Sequence, residues 1–137
     1  MPHPGEALVP DAEATIQALR AAGACFAFVH GSRAEGTDRK GSDIDLAAWF
    51  DGHDPAPWRI GGFPPRVDLL VLDRAPLELA GRVALHGVLL FDDDPPARVR
   101  WVALTRRMYL DERPRTEVAR RIFFEGVRER EEARGRR

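Results

Sequence analysis

Short apolar runs alternate with amphipathic segments along this chain of 137 residues. The runs are too short for helices, and they predict four strands, at 25–30, 43–50, 67–72 and 88–91. Segments with apolar residues at helical spacing predict helices at 11–22, at 73–86, from 94 and from about 116, and a short helix after Ser32. Residues 51–66 include four prolines and are expected to be mostly loop. This order of elements predicts an α/β fold, with a small mixed sheet, flanking helices and a helical C-terminal third.

Local signals mark where these helices begin and end. Asp11 is expected to cap the first helix, and Gly23 follows that helix at the usual position of a left-handed residue. Asp94 is expected to cap the helix that follows it, and Pro114 is expected to break the chain before the last helix. The apolar residues of these last two helices are expected to be buried: Val99, Trp101, Val102, Leu104, Met108, Tyr109, Val118, Ile122, Phe123 and Val127.

The length of 137 residues indicates one domain, 1–137, in which we expect a core at about 10–110 and a C-terminal helix at about 114–134. A lone cysteine, Cys25, allows no disulfide within the chain, so we expect a cytoplasmic protein. We expect no signal peptide, and no apolar run approaches the ~20 residues of a membrane span.

The charge is distributed unevenly between the two ends of the chain. Residues 1–96 contain 8 basic and 15 acidic side chains, whereas residues 97–137 contain 13 and 7. A basic tail can indicate nucleic-acid binding, and an acidic protein partner is a second possibility. Because Arg and Glu interleave at helical spacing in this tail, we interpret it as an ion-paired helix face and expect no direct nucleic-acid partner.

Candidate chemistry begins where the first predicted strand ends, at Gly31 and Ser32. Glycine lets the backbone approach a ligand closely, because it has no Cβ atom. Ser32 is expected to cap the short helix, with Glu35 completing a capping box. The start of a helix presents free N–H groups that favour phosphate, so this stretch predicts a phosphate-binding turn.

Ten residues after Ser32, the second predicted strand opens with Asp43 and Asp45. If both lie in the strand, they share one face of it. Two close carboxylates repel each other unless a proton or a cation lies between them, and carboxylate oxygens are ligands that Mg²⁺ prefers. The pair therefore predicts a metal site that faces the phosphate-binding turn.

A third acid, Asp68, lies among apolar residues in the third predicted strand. An unpaired carboxylate buried there would be costly, so we expect Asp68 to have a partner. Two alternatives stay open at this point. Asp68 forms an ion pair with an arginine such as Arg66, or it joins Asp43 and Asp45.

This combination resembles the minimal nucleotidyltransferases of the DNA polymerase β superfamily, in particular the MntA-type antitoxins of HEPN/MNT toxin–antitoxin systems. Their signature is Gly-Ser, ten residues, Asp-x-Asp and a distant Asp, matched here by Gly31, Ser32, Asp43, Asp45 and Asp68. The resemblance covers roughly residues 10–110 and implies a polymerase β-like fold. Many members read Gly-Ser-x-Ala-Arg-Gly, whereas this chain has Glu35 in place of that basic residue, and Arg33, Arg39 or Lys40 are candidates to compensate.

What the resemblance implies is a Mg²⁺-dependent enzyme that uses ATP, with Gly31, Ser32 and Arg33 at the nucleotide. Asp43, Asp45 and Asp68 would be both the catalytic residues and the ligands of two Mg²⁺ ions. The leading function is an antitoxin that transfers AMP from ATP to a tyrosine of a HEPN-type RNase toxin. The alternatives are a small-molecule nucleotidyltransferase of the antibiotic-modifying kind, and an antitoxin that acts by binding alone.

The remaining candidates are weaker. His30 is expected to pack at the end of its strand, and the other histidines are too scattered in sequence for a zinc site. Trp58 either anchors its loop or stacks on a base. Phe124 either belongs to a buried helix or marks a partner surface.

Overall fold

The computed structural model describes residues 2–37, 43–55 and 67–135 of the chain. Its helices and strands follow in the order α1 Ala12–Ala21, β1 Phe26–His30, α2 Ser32–Glu35, β2 Ile44–Trp49, β3 Val67–Val71, α3 Leu77–His86, β4 Val88–Asp92 and α4 Pro95–Gly135. Two short 3₁₀ helices, Pro4–Leu8 and Leu72–Arg74, precede α1 and follow β3. The four predicted strands are thus confirmed to within one residue at each end.

The strands form a mixed sheet in the order β3-β2-β1-β4. Strand β1 pairs antiparallel with both β2 and β4, whereas β2 and β3 run parallel. A parallel pair needs a long connection, and residues 50–66 supply it between β2 and β3. The predicted small mixed sheet with flanking helices is therefore confirmed.

The sheet is covered on both faces, and this explains why β1 is apolar at consecutive positions. On one face, Ala27 and Val29 pack in a cluster with Ile16 and Leu19 of α1. On the other face, Phe26 and Phe28 pack with Val83 of α3 and with residues of α4. Trp101 of α4 lies 6.1 Å from the Phe26 ring and 5.8 Å from the Phe28 ring, centroid to centroid. The site described below lies on this second face.

The ends of α1 confirm one predicted signal and contradict the other. Gly23 has φ +99°, and its N–H donates to Arg20 O while the Ala24 N–H donates to Leu19 O. This is the Schellman arrangement expected of a glycine after a helix. The prediction that the Asp11 side chain caps α1 is wrong, because Asp11 is left-handed and a capping side chain needs an extended residue.

Helix α3 begins at Leu77 and not at Asp73 as predicted. Ala75 is extended, with ψ 142°, as expected for a residue before a proline. Helix α4 shows the expected cap, since the Ala97 N–H donates to Asp94 Oδ1 at 3.3 Å.

The predicted break at Pro114 is wrong, because α4 is continuous for 41 residues from Pro95 to Gly135. Proline removes one intrahelical hydrogen bond, and long helical segments on both sides allow the helix to continue through it. The last two predicted helices are therefore one.

The prediction that the apolar residues of α4 are buried holds for Tyr109 and fails for several others. Tyr109 is 6% exposed, whereas four predicted core residues are between 44% and 64% exposed: Val99, Leu104, Met108 and Ile122. Apolar spacing predicts an amphipathic face but does not show what covers it. The side chains of Val118, Phe123, Phe124 and Val127 lie outside the described part of the structure.

Among the described residues, no helix is both long and apolar enough to cross a membrane.

Candidate active site

The chain turns sharply between β1 and α2, at Gly31. Gly31 has φ +69° and ψ −148°, a region that is essentially restricted to glycine, and it occupies the N-cap position of α2. Ser32 is the first residue of the helix, and Gly31 at the N-cap has no side chain that could cap it. The predicted capping role of Ser32 is therefore wrong by one position, because only glycine adopts the conformation that this turn requires. The Ser32 side chain is left available for other interactions.

Asp45 lies directly against this turn. The register of β1 and β2 places Asp45 opposite His30. A Cβ atom built at Gly31 would overlap Oδ2 of Asp45 and lie 3.2 Å from its Cγ. The absence of a side chain at residue 31 is thus what allows the Asp45 carboxylate to reach the backbone of the turn. The Gly-Ser part and the Asp-x-Asp part of the sequence motif meet at this contact.

Asp68 is the direct neighbour of Asp45 across the sheet. The parallel pairing of β2 and β3 places these two residues side by side, and neighbours in register project from the same face. Asp68 is exposed, so the prediction that it is buried and must be paired for that reason is wrong. Strand β3 lies at the end of the four-stranded sheet, where Asp68 reaches solvent. The alternative partner, Arg66, lies outside the described residues.

Asp43 lies one residue before β2 and is exposed. Because Asp43 lies outside the strand, the alternation of side chains along β2 does not determine whether its side chain points to the same face as that of Asp45. Within the described residues, no three His, Cys, Asp or Glu side chains are grouped so that they could hold a metal ion. The structure brings Asp45 and Asp68 together beside a turn that a Cβ atom would fill, and Asp43 lies two residues before Asp45 in the chain.

This donor set fits Mg²⁺, which is commonly held by one or two carboxylates and completes its coordination with water and substrate phosphates. Asp45 and Asp68 would be the protein ligands, with Asp43 the third candidate.

Arg33, the predicted nucleotide-binding arginine, projects towards the N-terminal segment. Its Nη1 donates to the carbonyl oxygen of Leu8 at 3.3 Å. Its predicted role at the nucleotide stays a prediction. The other basic candidates, Arg39 and Lys40, lie outside the described residues.

A pocket of about 270 Å³ opens beside the Gly31 turn, between α2 and α3. His30 lies in its wall, and the buried Nε2 of this histidine has no hydrogen-bond partner within the described structure. On the opposite side the wall includes Arg82 and His86 of α3. Sequence reasoning missed these two residues as site candidates, because they lie about 50 positions after Gly31 and carry no local motif.

Residues 16–96 match the protein family described as polymerase beta, nucleotidyltransferase. The chain belongs to this family. The match spans all four strands together with α1 from Ile16 onward, α2 and α3, so it includes every residue placed at the site above. Membership assigns nucleotidyl transfer as the class of chemistry. No curated protein is significantly similar to the chain in sequence.

Solved structures with the same fold come from toxin–antitoxin complexes. A chain from a toxin–antitoxin complex with AMP-PNP superposes with a TM-score of 0.66 at 22% identity, over 86% of this chain and 98% of that one. A chain from the toxin–antitoxin pair MntA–HepT gives 0.58 at 20% identity, over 85% and 95%. A chain from tri-AMPylated Shewanella oneidensis HEPN toxin in complex with MNT antitoxin gives 0.59 at 20% identity, over 85% and 94%. At these identities the likeness concerns the fold.

The aromatic residues of this nucleotidyltransferase serve the core where the structure describes them. Trp101 packs on Phe26 and Phe28, and Tyr109 covers Gly81 of α3 so closely that a Cβ atom there would overlap its ring. Both observations confirm the predicted core role. Trp58 lies outside the described residues, so its two interpretations stay open.

Proposed function

We propose that this nucleotidyltransferase is an antitoxin that transfers AMP from ATP to a tyrosine of a HEPN-type RNase toxin, with Mg²⁺ as cofactor. The observation that carries the proposal is the contact between Gly31 and the Asp45 carboxylate, beside Asp68. It unites a turn suited to phosphate with carboxylates suited to a cation. The toxin–antitoxin complexes that share the fold support the choice of acceptor. A cytoplasmic location, expected from the single cysteine, belongs to the same proposal.

In this reaction the tyrosine oxygen attacks the α-phosphorus of ATP and forms a new P–O bond. The bond between the α-phosphorus and the bridging oxygen breaks, and pyrophosphate leaves. The tyrosine proton passes to a carboxylate, for which Asp68 is the candidate because it is exposed and adjacent to Asp45. Mg²⁺ held by Asp43, Asp45 and Asp68 would stabilise charge on the entering and leaving oxygens. The protein otherwise contributes positioning, with Gly31 and Ser32 at the phosphates.

The test combines the purified protein with ATP, Mg²⁺ and the product of the neighbouring gene as the candidate HEPN-type toxin. Intact mass spectrometry should show the toxin gaining one or more AMP groups, and chelation of Mg²⁺ should abolish the gain. Asp45→Asn should reduce transfer about 10²-fold or more, the scale on which loss of one transition-state charge partner acts. Asp11→Asn is the matched control, because Asp11 is exposed and outside the site, and its left-handed backbone suits asparagine.

Other outcomes would select the alternatives. AMP found on a small-molecule acceptor and not on the toxin would indicate an antibiotic-type enzyme. Inhibition of the toxin that is unaffected by Asp45→Asn and leaves its mass unchanged would indicate an antitoxin that acts by binding alone.

A further inference from the structure

The pocket between α2 and α3, called here the α3 pocket, has walls from two distant parts of the chain. One wall comes from the β1–α2 turn and includes His30, Gly31 and Ser32. The other comes from α3 and includes Leu79, Arg82 and His86. Its volume of about 270 Å³ is below the range of sites that enclose a whole drug-sized ligand. The α3 pocket is therefore suited to part of a nucleotide.

The balance of charge in the α3 pocket depends on α3. Glu35, which also lines the pocket, places a carboxylate on the α2 side. Arg33 of the same short helix donates to Leu8. Among the described residues that line the pocket, the guanidinium of Arg82 is the permanently charged cation. An anion bound here would be neutralised from α3.

Arg82 is free to change partners. Its Nη2 donates to Oε1 of Glu78 at 3.1 Å, one helical turn earlier. The two side chains are 65% and 63% exposed, and ion pairs of this exposed kind contribute little. A phosphate group, which an arginine can bind with two parallel hydrogen bonds, would compete effectively with this contact.

His30 provides a second, independent indication. Its Nε2 is buried and lacks a hydrogen-bond partner within the described structure. Unsatisfied buried polar atoms are uncommon, and a phosphate oxygen in the pocket would accept a hydrogen bond from an N–H at this position.

We propose that the α3 pocket binds the terminal phosphates of the nucleoside triphosphate, and that Arg82 is the residue that neutralises them. The inference rests on the proposed nucleotidyl transfer, and it adds a binding residue that lies outside the Gly-Ser and Asp-x-Asp motifs. Many members of the family have an arginine at the position of Glu35. In this chain Arg82 of α3 then supplies the positive charge in its place.

The experiment compares Arg82→Gln with Arg100→Gln, an exposed arginine of α4 that does not line the pocket. Calorimetry with Mg²⁺ measures the affinity for ATP and for AMP. In Arg82→Gln the Kd for ATP should rise about tenfold, as expected for loss of one charge-assisted hydrogen bond, while the Kd for AMP and the Tm stay unchanged. Arg82→Lys should recover part of the ATP affinity, and Arg100→Gln should behave like the wild type.

Tripolyphosphate as a second probe separates this inference from the proposed function. Equal ATP affinity in the wild type and in Arg82→Gln would overturn the role of Arg82, whatever the transfer activity. If the wild type fails to bind ATP, the proposed transfer of AMP from ATP is refuted. In that case, tripolyphosphate binding that is lost in Arg82→Gln would still support the pocket, whereas unaffected or absent binding would overturn it.

Discussion

Replacing Gly31 by alanine tests the contact on which the site depends. Gly31 combines φ +69° and ψ −148° with a carboxylate at the position where a Cβ atom would lie. Gly31→Ala therefore introduces two separate costs, one from the backbone and one from Asp45. We expect the variant to be less stable and to bind nucleotide more weakly, because the Asp45 carboxylate must leave its place beside the turn.

The magnitude follows from these two costs. A non-glycine residue in such a backbone region costs ~1–3 kcal/mol. Moving Asp45 away from its preferred side-chain torsion adds ~0.5–1.5 kcal/mol. The free energy of unfolding should thus fall by roughly 1.5–4.5 kcal/mol, a large part of the ~5–15 kcal/mol that is typical of a domain.

Gly36→Ala is the matched control. Gly36 also has a positive φ, +75°, but apart from its chain neighbours no atom of the described residues lies within 4 Å of the position of its Cβ. This variant should lose only ~1–2 kcal/mol, the cost of the left-handed conformation. Urea unfolding measures both variants, and calorimetry with ATP and Mg²⁺ measures their affinity.

A double-mutant cycle isolates the contribution of Asp45. Adding Asp45→Ala to Gly31→Ala removes the carboxylate that the new methyl group would meet, so the second substitution should recover part of the lost stability. The contact would be refuted if Gly31→Ala were no less stable than Gly36→Ala, bound nucleotide normally, and showed no coupling to Asp45.

Three further predictions concern single side chains. Because Ser32 is not the N-cap, Ser32→Ala should lower the free energy of unfolding by clearly less than the ~1 kcal/mol of a lost cap, and it should weaken ATP binding in calorimetry. A loss of about 1 kcal/mol with unchanged ATP binding would instead support the capping role. Asp94→Ala removes the acceptor of the Ala97 N–H and should cost ~1 kcal/mol in urea unfolding, whereas Asp111→Ala, in the middle of α4, should not destabilise the protein. Burial, with added effects of Asp51 and Asp94, raises the pKa of the Cys25 thiol. Iodoacetamide should therefore alkylate the native protein more slowly than the urea-unfolded chain near pH 8, and the rate for the native protein should increase as the pH rises. Equal rates for the native and unfolded protein would contradict the raised pKa.

Features that depend on neighbours in the chain could be predicted from the sequence alone. The apolar run before His30 is short and unbroken, which indicates a strand covered on both faces, and β1 is such a strand. Gly23 and Asp94 act through hydrogen bonds to residues within five positions, so local spacing was enough to assign them. The Gly-Ser and Asp-x-Asp motifs were visible for the same reason.

Features that depend on distant residues were decided by the tertiary structure. The neighbours of Asp68 in the chain are apolar, yet its position on the end strand leaves it exposed, and only the parallel register places it beside Asp45. Arg82 reaches the α3 pocket because α3 packs beside the turn, a relation that no local pattern contains. The exposure of Leu104 and Met108 likewise depends on which elements cover α4. Hydrophobic periodicity is a property of one segment, whereas burial and the convergence of charges depend on how several segments pack together.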